Sequence, residues 1–410
     1  MRQTADLKPQ RVRGFTVAGV HAGMKKNGAL DLTLIAADRD CVAAGVFTRN
    51  QSKAAPVLVS QEHLAAQANR IRAVVINTTS ANAMTGRVGI ENARTTARMV
   101  AAKLDVQPEQ VLVMSTGVIG THLPMPKIEQ GIELAHAQLG ADWEAAARGI
   151  MTTDTRPKMA SLRVLSVEGE YTITGISKGA GMIAPNMATM LGVIVTDAAL
   201  SREHAMIALR YANDRSFNRI VVDGDTSTND TVFLLASGAS GVQLRTAADM
   251  HQFNEALLIV AQSLAQQIVR DGEGATKFIT LEVVGARSDA EAHAIGNTIA
   301  SSPLVKTAFF GGDANWGRIV AAAGRAPATF NPDTARLLIG RGEALTEESS
   351  GLLLFENGLP TRYSEAEASA IFREAEVIVR LELGLGSGAA TVWTCDLSHD
   401  YVSINGDYRS

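Results

Sequence analysis

Cysteine is almost missing from this chain: Cys41 and Cys395 are the only two in 410 residues, and they form no C-x-x-C pair. Neither a disulfide framework nor a zinc ribbon can be built on them, and a reducing, cytoplasmic setting is expected. An excess of positive charge is lacking as well. Lys and Arg number 38 against 42 Asp and Glu, a net charge of −4, so nothing attracts a phosphate backbone and nucleic acid is not an expected partner. No segment approaches the ~20 apolar residues of a membrane span. Met1 to Phe15 mix charges without an apolar run, so no signal peptide is expected. The eight histidines form no H-E-x-x-H or other helical pair and join no Cys/His cluster. No metal and no cofactor is expected.

What is present is ordinary globular composition, 46% hydrophobic and 20% charged, with length for two or three structural units and a large core. Apolar residues alternate in strand fashion at Leu32 to Ala37, Val42 to Thr48 and Ala73 to Ile76. Ile90, Ala93, Ala97, Val100 and Leu104 recur at helical spacing, as do Phe253, Leu257, Val260, Leu264 and Ile268. Capping-box spacing at Ser288 with Glu291 and at Ser364 with Glu367 marks two more helix starts. Ile279 to Val284 and Val377 to Leu383 alternate as strands again. This mixture, with no repeat and no obvious linker, favours a layered α/β architecture over a solenoid or bundle. Ile176 to Thr189, rich in Gly, Ser and Thr, reads as an exposed loop feeding a buried strand from Met190 to Val195.

Four segments carry candidate chemistry. Thr189 opens that strand behind Gly179, Gly181 and Pro185. A threonine hydroxyl becomes a nucleophile once a base takes its proton, and the α-amine of the same residue serves if the chain is cut after Ala188. Otherwise Thr189 is simply a β-branched residue starting a strand. Ser115 to Gly120 follows the strand-like Val111 to Met114 and is placed for an oxyanion hole, or for a strand-to-helix turn with Thr116 as cap. Asp223-Gly224-Asp225 after Ile220 to Val222 imitates two other sites. As a calcium loop it fails, since Thr228 and Leu234 occupy the places of the required Gly and Glu; as a D-x-D phosphatase it stays open. Glu273, between Gly272 and Gly274 after an amphipathic helix, suits a cationic ligand or merely ends that helix. Lys178 suits a ligand carboxylate or a phosphate, although its spacing is no Walker A pattern.

Together these segments resemble the ornithine acetyltransferase (glutamate N-acetyltransferase) family of arginine biosynthesis along nearly the whole chain. The resemblance is carried by Ser115 to Gly120, by Met151 to Lys158, by Pro185 to Leu191 and by Ser216 to Arg219 leading into Asp223 to Asp230. Asp271 to Lys277, Ser302 to Ala308 and Ile404 to Ser410 complete it. It implies a sandwich of sheets and helices similar to the N-terminal nucleophile hydrolases. It also implies self-cleavage between Ala188 and Thr189 into an α chain, 1–188, and a β chain, 189–410, associating as a heterotetramer of two each. Acetyl transfer from N2-acetylornithine to glutamate would run through Thr189, with Thr116 and Gly117 stabilising the oxyanion. Thr153, Lys178, Thr189, Glu273, Asn405 and Ser410 would contact substrate. The residues leave acetyl-CoA open as a second donor. Two places depart from the family pattern: Thr79 and Ser80 stand where Gly and Asn are usual, and Gly406 and Ser410 where Ala and Thr are. The same segments would also fit a related aminopeptidase family, which uses a nucleophilic Ser, or a non-catalytic amino-acid binder.

Overall fold

A computed structural model describes residues 4–184, 190–346 and 350–406. In chain order its strands are β1 (Phe15–Val20), β2 (Leu32–Phe47), β3 (Ile71–Asn77), β4 (Val111–Ser115), β5 (Lys158–Ser166), β6 (Gly169–Lys178) and β7 (Leu191–Thr196). Next come β8 (Ile220–Val221), β9 (Thr231–Ala236), β10 (Phe278–Ala286), β11 (Arg336–Arg341), β12 (Leu352–Glu356), β13 (Leu359–Pro360), β14 (Glu376–Glu382) and β15 (Gly388–Cys395). The helices are α1 (Ala55–Gln67), α2 (Gly86–Leu104), α3 (Met125–Ala137), α4 (Trp143–Gly149), α5 (Arg202–Asp214) and α6 (Ala247–Arg270). They continue with α7 (Asp289–Ala300), α8 (Pro303–Gly311), α9 (Trp316–Gly324), α10 (Glu365–Phe372) and α11 (His399–Gly406). The fold is thus mixed α/β, two sheets with helices layered on them, as the sequence pattern indicates.

Two compact units interleave along the chain. One takes the described residues within 1–182, 186–218 and 225–268, the other those within 183–185, 219–224 and 269–410.

The first unit is built on a sheet of order β4-β3-β2-β9-β7-β6-β5, with β1 paired to β2. Its strands β3 and β4 run parallel, and alternate side chains enter two cores. Val74, Ile76, Leu112 and Met114 join one core with Trp143 of α4, while Ala73, Val75, Val111 and Val113 join another with Ala93, Ala97 and Val100 of α2. Burial on both faces explains why these strands read as apolar runs. The segments Leu32 to Ala37 and Val42 to Thr48, expected as separate strands, are one strand, β2. Its first part pairs with β3 and its last with β9, and the register against β3 shifts between Ala36 and Cys41. The exposed Asp38, Arg39 and Asp40 occupy that bulge, so the charges that look like a turn are carried outward without breaking the strand.

The second unit has a sheet of order β13-β12-β11-β14-β10-β15-β8, in which β10 and β14 are interior and parallel. Helices α7, α9 and α10 bury Ile295, Ile319 and Phe372 on it. The hydroxyl half of both expected capping boxes is present: Ser288 accepts from Glu291 N–H and Ser364 from Glu367 N–H. Each satisfies an amide that the helix itself leaves without a partner.

One expectation fails in part. Ile176 to Lys178 is the end of β6, and of residues 179–184 only Met182 is exposed. Small residues there pack inward because Ala180, Ile183 and Ala184 are apolar and buried. Residues 185–189, with Ala188 and Thr189, lie outside the described residues.

Candidate active site

β6, β7 and β9 end in register. Lys178 pairs with Leu191, and Leu191 with Thr231, which brings Lys178, Met190 and Asp230 to the same end of one sheet. The loop after β4 supplies Thr116, whose Oγ1 accepts a hydrogen bond from the buried Lys178 Nζ at 3.3 Å. The sequence points to an oxyanion role for this segment without resolving which atoms are available. Thr116 N–H is already engaged, donating to Asn77 O at 3.0 Å, and Val118 N–H donates to Thr79 O at 3.1 Å. Among the described residues Gly117 N–H donates to no partner. The Thr116 hydroxyl, held by a cation, and the amides of Gly117 and Ile119 are therefore donors this loop can offer. Thr116 caps no helix, since α3 begins only at Met125.

Gly117 is required by geometry. Its φ is +133°, and a Cβ there would lie 2.3 Å from Thr79 C and 2.5 Å from Thr79 O. The facing loop bears one departure from the family pattern. Thr79, where Gly is usual, takes φ +72°, a conformation costly for a β-branched residue. Ser80 Oγ donates to Thr121 O at 2.6 Å and accepts from Asn82 N–H. Two buried asparagines that the sequence does not flag hold the loops together. Asn77 Nδ2 donates to Thr78 O and Ser80 O. Asn229 Nδ2 donates to Ala81 O at 2.6 Å and Ser115 O at 2.8 Å.

Around Lys178 the charges are unevenly compensated. Asp154 accepts from Lys158 Nζ at 2.6 Å, and both side chains are fully buried. Burial would push the Asp154 carboxyl up, but the Lys178 and Lys158 ammoniums and the Thr152 N–H outweigh it and hold it at about 2. Lys25, not flagged by the sequence, donates to Leu30 O and Met151 O, both at 2.8 Å. Burial lowers its pKa, opposed by Asp31 and Asp154 and reinforced by Lys178. Its loop is fixed by the buried Asp31, which accepts from the N–H groups of Ala22, Met24 and Lys25. Asp230 is the opposite case. Burial pushes its carboxyl well above the usual range against the pull of Lys178. The amides of Met190 and Ser227 pull the same way as Lys178, but neither completes a hydrogen bond. Thr153 lies half-buried in the segment between Lys25 and Asp154.

In the second unit the two expected residues meet: Asn405 Nδ2 donates to Glu273 Oε2 at 2.8 Å and to Tyr401 O at 3.0 Å. Glu273 is 8% exposed. Ser410 lies outside the described residues. Asp223 Oδ1 accepts from Ile183 N–H at 2.8 Å and Oδ2 from Tyr401 OH at 3.3 Å, so both oxygens are engaged. Among the described residues no three His, Cys, Asp or Glu side chains gather as a metal site. Cys41 and Cys395 are buried free thiols; burial pushes Cys41 up to about 12 and Cys395 in the same direction. Among the described residues no helix is long and apolar enough to cross a membrane.

Comparison with known proteins agrees with the resemblance. A family model described as the ArgJ family matches residues 16–410. An arginine biosynthesis bifunctional protein ArgJ from Dehalococcoides mccartyi is 45% identical over all of both chains. One from Geobacter sulfurreducens is 47% identical over 97% of this chain and all of its own. A crystal structure of an arginine biosynthesis bifunctional protein ArgJ from Bacillus halodurans is 42% identical. It covers 51% of this chain and 95% of its own at a TM-score of 0.47. A crystal structure of ornithine acetyltransferase complexed with ornithine, from Mycobacterium tuberculosis, is 40% identical over 45% of this chain and 97% of its own. Its TM-score is 0.39.

Proposed function

We propose the following for this chain, which belongs to the ArgJ family and is an acyltransferase of arginine biosynthesis: it moves the acetyl group of N2-acetylornithine to glutamate through Thr189. The observation that carries this reading is the Lys178–Thr116 contact beside the unengaged Gly117 amide. A hydroxyl and an amide free to donate are what a tetrahedral oxyanion needs. The chain cleaves itself between Ala188 and Thr189, giving residue 189 an α-amine. That amine takes the proton of Thr189 Oγ as the oxygen attacks the acetyl carbonyl, while Thr116 and Gly117 hold the oxyanion. The amide C–N bond breaks, the nitrogen leaves as the ornithine amine with the proton, and an acetyl-threonine ester remains. Glutamate's amine then attacks the ester and departs as N-acetylglutamate, and the hydroxyl is restored.

Substrate recognition is assigned to Lys178 and Ser410 for carboxylates, Glu273 for the distal ammonium, and Thr153 and Asn405 for orientation. An ammonium requires an acid, and Glu273 is a buried one. The first sheet supports continued association of the fragments. Strands β7 and β9 would belong to the 189–410 fragment, and they lie between β2 and β6 of the 1–188 fragment. Separation would strip the β2–β9 and β6–β7 ladders. We further assign acetyl-CoA as a second donor, in keeping with relatives named bifunctional.

Denaturing electrophoresis with intact mass should give fragments of 188 and 222 residues, and Thr189→Ala should leave one inactive chain. Double-reciprocal plots for acetylornithine and glutamate should be parallel, and acetyl-Thr189 should be trapped without glutamate. Only full-length protein with full activity, or intersecting plots with no trapped ester, would overturn the reading. Acetyl-CoA is tested by N-acetylglutamate formation from acetyl-CoA and glutamate.

A further inference from the structure

Asp154 makes more contacts than an ion pair needs. Besides Lys158 Nζ at 2.6 Å, its Oδ1 accepts from Gly179 N–H at 2.7 Å, and its Oδ2 accepts from Thr152 N–H at 2.9 Å. The two amides flank two separate points of the site: Thr152 precedes Thr153, and Gly179 follows Lys178. The β5–β6 ladder runs from Ser166↔Gly169 to Lys158↔Ser177 and stops one residue short of Lys178. Beyond that rung the Asp154 carboxylate ties the end of β6 to segment 152–154. Lys25 clamps the same segment from its other side through Met151 O.

Stability alone is a poor reason for such a group. A buried ion pair commonly contributes no more than a well-packed apolar pair of the same volume, because desolvation offsets the attraction. What an apolar pair cannot do is accept hydrogen bonds from two distant amides at once.

We propose that Asp154 is a positioning residue for substrate binding, its carboxylate fixing the spacing between Thr153 and Lys178. This rests on the acetyl-transfer reading above. Asp154 touches no reacting atom. It sets where two substrate contacts stand, so its loss raises KM for both substrates more than it lowers kcat.

Asp154→Asn alone strands a buried ammonium and risks unfolding the protein. The test therefore compares Lys158→Met, which leaves the carboxylate its two amide bonds and the nearby Lys178 ammonium, with Asp154→Asn/Lys158→Met, which removes both charges. Folding is followed by thermal unfolding, and transfer by initial rates with acetylornithine and with glutamate. The expected result is two folded variants. Lys158→Met keeps KM within about threefold of wild type, and the double variant raises KM for both substrates about tenfold with a smaller change in kcat. Wild-type KM values in a folded double variant, or an equal rise in Lys158→Met, would overturn the positioning role alone. A double variant that fails to fold while Lys158→Met folds would make Asp154 structural and overturn it too. Wild-type protein that moves no acetyl group would overturn the acetyl-transfer reading and this proposal with it.

Discussion

Replacing Gly117 by Ala should cost both stability and turnover, and Gly120→Ala provides the internal control. Both glycines have positive φ, +133° and +81°, but a Cβ at Gly120 would meet nothing within 4 Å. The control therefore carries only the backbone penalty, about 1–2 kcal/mol, less the ~0.4–1 kcal/mol that Ala returns by restricting the unfolded chain. Its net loss should be at most about 1.5 kcal/mol. At Gly117 the new carbon would sit 2.3 Å, 2.5 Å and 2.7 Å from Thr79 C, Thr79 O and Ser80 N. These are backbone atoms, so the loops must separate. Overpacking adds ~1–3 kcal/mol, and loosening Val118 N–H from Thr79 O adds about 1 kcal/mol. The expected excess over the Gly120→Ala control is about 2–4 kcal/mol, read from urea unfolding at constant m. Displacing the Gly117 amide should also lower kcat about 10²–10³-fold, as for loss of an oxyanion donor, while Gly120→Ala stays near wild type. Equal stability and equal kcat in the two variants would refute both the contact argument and the assignment of this amide.

Glu273→Gln keeps an oxygen for Asn405 Nδ2 and removes the charge. KM for acetylornithine should rise by an amount corresponding to about 1.5–3 kcal/mol, and an unchanged KM would place the ammonium elsewhere. The acid limb of stability should follow Asp154. Its carboxyl is held at about 2 in the folded state, below the ~3.9 of an unfolded chain. The stabilisation is therefore present above pH ~4 and lost as pH falls toward 2, on the order of 2 kcal/mol. Urea midpoints across this range should flatten in Asp154→Asn/Lys158→Met, and an identical acid limb in the double variant would refute the linkage.

Helices and strands are legible where burial follows a simple period. The apolar face of α2 appears as Ala93, Ala97 and Val100, all buried, and the caps at Ser288 and Ser364 are local chemistry. The continuity of β2 is not legible. Asp38, Arg39 and Asp40 look like a turn in one dimension, and only the partners β3 and β9 show that they form a bulge. The inward packing of residues 179–184 escapes the sequence for a related reason: glycine and alanine signal freedom, whereas packing against neighbours decides exposure.

The candidate site divides the same way, and the division has a physical cause. Residues that would touch a ligand advertise themselves by type: a hydroxyl at Thr116, an ammonium at Lys178, a carboxylate at Glu273. Residues that aim them do not. Asn229 reaches the carbonyls of Ala81 and Ser115 across 148 and 114 positions of sequence, and Ser115 Oγ donates to Asn77 Oδ1 across 38. A buried amide that satisfies two backbone carbonyls has no local pattern, since its partners come from elsewhere in the chain. Asp154 and Lys158 stand four residues apart, yet the register of β6 against β5 is needed to show that the same carboxylate also ties down Gly179. The candidate oxyanion loop follows this logic most closely. The sequence marks the segment Ser115 to Gly120, the family resemblance adds Thr116 and Gly117, and only the structure shows that Thr116 N–H is engaged by Asn77 O and its hydroxyl held by a lysine from another strand.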